Sequence, residues 1–140
     1  MTPLAARFFR AGAVMLLAGL ALGMHLAIAD DATLRPVHAH LNLVGFVLPM
    51  LYGLFYQVVP GAAEGRWPVV HIWAAWAAAV CLPLGMALII LGCPGPGEPV
   101  SFLGMLATVA AALVFARAVF RSGRPGEPRQ ATVRSIPPST

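Results

Sequence analysis

Two histidines one residue apart, His38-Ala39-His40, stand at the entrance to an apolar run that closes at Pro60. Imidazole ligates iron, copper and zinc. At the end of an apolar run it either reaches for water or marks a functional site. On a helix the two rings diverge by roughly 200°. Stepping from His38 by fours and threes reaches Asn42, Gly45, Pro49, Tyr52 and Tyr56, a polar, small and aromatic stripe that faces protein. Stepping from His40 reaches Leu43, Val44, Val47, Leu51, Leu54 and Val58, every one aliphatic. That face suits lipid, a second subunit or a large flat apolar ligand. Asn42, one turn below His38, is placed to orient its ring.

Neither cysteine nor carboxylate accompanies the pair, which weighs against a plain zinc or copper cage. Haem satisfies both halves of the pattern, because its iron takes imidazole and its macrocycle takes an aliphatic wall. Haem b is therefore the expected cofactor, with copper as the alternative. His25, about one turn from the end of the first apolar run, shares the level of the pair. On depth alone it is the candidate second ligand of a bis-imidazole haem b between the first and second helices. His71 lies at the opposite level. Its setting, VVHIWAAW, with Trp67, Trp73 and Trp76, reads as an interfacial aromatic belt. Cys81 and Cys93 are about three helical turns apart, too far for a disulfide, and read as small hydrophobes. No CxxC, phosphate-binding glycine loop or nucleophile elbow occurs.

The elements that must carry these residues follow from composition. The 140 residues are 59% hydrophobic and 10% charged, with mean hydropathy +0.82, which excludes an ordinary soluble domain. Four uncharged runs, each about the ~20 residues of a membrane span, cover 11–29, 38–60, 67–92 and 100–120. The connections DDATLRP, PGAAEGR and CPGPGEP are short and rich in helix breakers. The fold class is an all-α integral membrane protein, a four-helix antiparallel transmembrane bundle spanning 1–121, followed by a disordered tail over 122–140.

Arginines set the orientation. Arg7, Arg10, Arg66, Arg117, Arg121, Arg124, Arg129 and Arg134 fall on one side and Arg35 alone on the other, so both termini are expected on the cytoplasmic side of a bacterial inner membrane. The net charge of +4 reflects this topology and contact with lipid, and no nucleic-acid partner is expected. Arg7, Arg10, the apolar stretch and Ala27-Ile28-Ala29 before Asp30 also fit a cleavable secretory signal. The run exceeds the usual signal core, so a retained span is the expectation. Gly19 and Gly23 form a GxxxG that could serve a homodimer.

His38-Ala39-His40 followed by Leu43, Gly45, the aromatic pair Phe55 and Tyr56, and Pro60 resembles the tenth helix of subunit I of haem-copper oxidases and nitric oxide reductases. Val70-His71-Ile72-Trp73, with the apolar run through Gly85, is similar to that family's eleventh helix. The resemblance covers Val37 to Gly92. It implies that His38 is the proximal ligand of a high-spin haem and His40 an axial ligand of a low-spin haem. The helices that carry the family's other low-spin ligand and its copper- or iron-binding histidines have no counterpart in this chain. It also implies electron transfer near the outer face with a respiratory redox partner, and not oxygen or nitric oxide reduction by this chain alone. The alternative is a non-catalytic accessory or assembly module of a respiratory oxidase that binds copper or haem.

Overall fold

The computed structural model describes residues 1–122, and they are almost entirely helical. Helix α1 spans Pro3–Ala29. Helix α2 spans Arg35–Val58, α3 spans Trp67–Ile90 and α4 spans Pro94–Ser122. By length and composition all four are able to cross a membrane. Their surface fits that solvent: Ile28, Trp73, Leu113 and Phe120 point outward along with many other large apolar side chains, far more than the surface of a soluble monomer carries. The expected tail lies outside the described residues, apart from Ser122, which ends α4.

Helices α1 and α4 begin before the expected spans for identifiable reasons. Thr2 caps α1 by accepting the Ala5 N–H at 3.2 Å, and its own N–H donates to Gln57 Oε1 at 2.9 Å, tying the start of α1 to the end of α2. The charged residues Arg7 and Arg10 thus ride on α1 itself. Helix α4 begins at Pro94 and not at Val100, because a proline in the first turn removes an N–H that has no helical partner anyway. The breakers of CPGPGEP therefore open a helix. The α3–α4 turn closes with Gly92 at φ +86° and the Cys93 N–H on Leu88 O at 2.8 Å, a Schellman stop.

Glycines then let α3 and α4 pack backbone to backbone. A Cβ on Gly85 would collide with the Ser101 backbone, and one on Gly104 with the Leu82 backbone. Inside α2, Leu41–Val47 forms a π-helix in which the Leu48 N–H reaches Leu43 O. The wider turns sit just before Pro49, whose ring would crowd the carbonyl four residues back in a regular helix. The face below His40 departs from expectation at one position within this segment. Val44, expected on the aliphatic outer face, is only 7% exposed and packs inward, whereas Leu43, Val47, Leu51, Leu54 and Val58 are exposed as the periodicity predicts.

The core gathers at one end of the helices. Phe8, Tyr52, Tyr56, Ile72, Ala75 and Ala111 form its buried cluster, with Leu4, Phe55 and Phe115 packed around them.

Candidate functional site

At the other end, the GxxxG of α1 is already filled from within the chain. A Cβ on Gly19 would stand 2.6 Å from Asn42 Oδ1, and one on Gly23 would stand 2.6 Å from His38 Cε1. The two glycines are the seat into which α2 sets its polar side chains. His38 Nδ1 lies 2.9 Å from Gly19 O. A carbonyl only accepts, so Nδ1 is the donor and the neutral ring keeps its lone pair on Nε2. The Asn42 amide nitrogen donates to His38 O at 2.9 Å and lies 3.2 Å from Nε2. Asn42 does sit against the His38 ring, and it covers the one ring nitrogen able to bind a metal.

His40 is held differently. Its Nδ1 donates to Pro36 O of its own helix at 2.8 Å, which again leaves the lone pair on Nε2. The ring is only partly buried and stands above exposed Leu43, Val47, Leu51 and Leu54. A histidine that donates one nitrogen to a backbone carbonyl and presents the other is the usual arrangement of a ligand.

His25 is exposed, and lies roughly 200° around α1 from Gly23. It therefore faces away from the His38 seat. The close approach of α1 to α2 also leaves no room for a macrocycle between them at this level, so a haem there, ligated by His25 and a histidine of α2, does not fit. His25 lies near the α1–α2 turn. There the hydroxyl and N–H of Thr33 hold the exposed Asp31 carboxyl below the usual carboxylate range, with a smaller contribution from His25. Among the described residues no three His, Cys, Asp or Glu side chains converge as a metal-binding group, and Cys81 and Cys93 are free thiols.

His71 departs most from expectation. It is 0% exposed and belongs to the core, not to an interfacial belt. Its Nδ1 lies 2.9 Å from the Tyr56 hydroxyl, while Nε2 is buried with no hydrogen-bond partner among the described residues. Aromatic rings enclose it: Tyr52 at 4.4 Å, Phe8 at 5.2 Å and Phe115 at 6.1 Å between centroids. The neighbouring Trp67, Trp73 and Trp76 are exposed, as a belt requires. The signal for His71 was available in Ile72, Ala75, Ala78 and Ala79, which continue its buried face at helical spacing.

No family model, curated protein or solved structure matches this chain.

Proposed function

We propose that the chain is a multi-pass protein of a bacterial inner membrane, an antiparallel four-helix bundle with both termini cytoplasmic, that carries haem b against the outer part of α2 and passes electrons. The observation that carries this reading is the His40 ring, fixed by its 2.8 Å bond to Pro36 O and offering Nε2 above an exposed aliphatic face. That face includes Leu51 and Leu54, at 50% and 54% exposure, and supplies the apolar wall a macrocycle needs.

Haem b held by two imidazoles is a six-coordinate one-electron carrier. His40 supplies one of them. The second comes from the same face of a second copy about a twofold axis, which would cover the aliphatic residues of both chains. His25 faces away from α2 and is not a candidate for it, and His38 supports α2 from its glycine seat in place of ligating. A second reading, an accessory module of a respiratory oxidase, rests on the same exposed aliphatic face of α2. In that reading the aliphatic face docks on the larger protein and copper or haem belongs to the assembly.

Visible spectra of the detergent-purified chain, oxidised and reduced, decide between them. Haem binding requires an intense Soret band with reversible reduction, its loss in His40→Leu, and its retention in His38→Leu. Dilution into excess detergent should convert six-coordinate to five-coordinate haem, because the second ligand comes from a second copy, and His25→Ala should leave the spectrum unchanged. A colourless wild-type protein that copurifies with an oxidase would favour the module.

A further inference from the structure

The arginine-rich end of the helices holds a cleft of about 550 Å³ between the turn Pro60–Ala63, the start of α3 and the last turns of α4. This is within the size range of small-ligand sites. Arg117 and Arg121, one helical turn apart on α4, line it, and Glu64 is its one carboxylate. The Arg117 guanidinium carbon lies 4.6 Å from the centroid of the Trp67 ring, which stacks the fork in place and leaves its N–H edge for an anion. Arg66 stands 5.8 Å from the same ring. The rest of the lining includes apolar Val59, Ala62 and Val114.

We propose that this cleft seats the phosphate of an anionic phospholipid, gripped by Arg117 and Arg121. A phosphodiester accepts from paired guanidiniums, and basic pockets between membrane helices near the interface are suited to such headgroups. The surroundings distinguish a lipid from a soluble phosphate compound. Val58, Leu113 and Phe120, each next in sequence to or one residue before a lining residue, are 71%, 66% and 79% exposed. They are exposed apolar side chains close to the cleft that acyl chains can cover, and a free phosphate has no use for them. Trp67, which lines the cleft, is of the residue type enriched at membrane interfaces.

The test uses the full chain in detergent, with phosphatidylglycerol or phosphatidylcholine added, and counts retained lipids by native mass spectrometry. The wild-type chain should retain phosphatidylglycerol preferentially, and R117Q/R121Q should lose that preference by on the order of tenfold. Glu64→Gln, which removes the carboxylate that competes with the phosphate, should strengthen it, and this gain does not depend on the arginine variant folding well. Equal retention of the two lipids by the wild type would overturn the proposal. So would an undiminished preference in R117Q/R121Q, which would assign binding to other basic residues. Displacement of the lipid by millimolar glycerol phosphate would reassign the cleft to soluble phosphate compounds and also overturn it.

Discussion

The hydroxyl of Tyr56 and Nδ1 of His71 lie 2.9 Å apart in the middle of an aromatic core, and the other nitrogen of that ring has no partner among the described residues. The single bond is what makes a buried imidazole tolerable there, since an unpaired polar group in such surroundings is costly. Tyr56→Phe leaves both ring nitrogens unsatisfied and should cost about 1 kcal/mol in an SDS-unfolding titration. Adding His71→Phe removes the stranded group and keeps a ring of similar size among Phe8, Tyr52 and Phe115. The double variant should therefore be more stable than the sum of the two single losses. Strictly additive losses would mean that the pair is not coupled.

Burial of His71 was hard to read because two signals overlap in one helix. Trp67, Trp73 and Trp76 mark an interface and draw the histidine between them into the same reading, while the alanines that mark the packed face carry little hydrophobic contrast. Long uncharged runs made the four helices plain, and the stripe from His38 to Tyr56 gave the inward face of α2, because both depend only on length and period. The helix starts at Pro3 and Pro94 were hidden by residues that break a helix in its middle but suit its first turn. The π-helix around Gly45 was hidden as well, and with it the inward turn of Val44. The seat made by Gly19 and Gly23 was visible as a motif, but its occupant was not, since period alone does not say which helix fills it.

The two histidines of α2 should separate cleanly in their effects. Asn42 donates to His38 O and lies against the His38 ring, and neither touches the aliphatic face below His40. Asn42→Leu should lower stability by roughly 1 kcal/mol. If α2 holds haem through His40 as proposed, the same variant should leave the haem spectrum unchanged. A converted spectrum in Asn42→Leu, with His40→Leu silent, would move the ligand to His38.

The α1–α2 turn should respond to acid in one direction. Thr33 holds the Asp31 carboxyl below its ordinary value, with the N–H bond at 2.8 Å. A group depressed in the folded state adds stability above its unfolded value, near about 4, and loses it as pH falls through the folded value. The stability advantage of the wild-type chain over Asp31→Asn should therefore be constant near neutrality and shrink steadily below about pH 4. Thermal melts of both proteins across that range would show it, and an advantage that grows on acidification would contradict the assignment.

Gly23, like Gly19, is a position where the packing of α1 on α2 leaves no room for a single methyl group. A Cβ there would stand 2.6 Å from His38 Cε1 and 3.0 Å from Nδ1, and the ring is held by its bond to Gly19 O. Gly23→Ala must then either separate the helices or break that bond, at a cost of about 1–3 kcal/mol. The better helix propensity of alanine offsets up to about 1 kcal/mol of this. Gly61→Ala is the control, because nothing lies within 4 Å of a Cβ at that position, and it should be nearly neutral. Removing the obstructing ring should relieve the clash, so His38→Ala in the Gly23→Ala background should cost less than it does alone. Unfolding titrations of the four proteins give the coupling directly. If Gly23→Ala is as benign as Gly61→Ala, the His38 ring does not occupy the glycine seat.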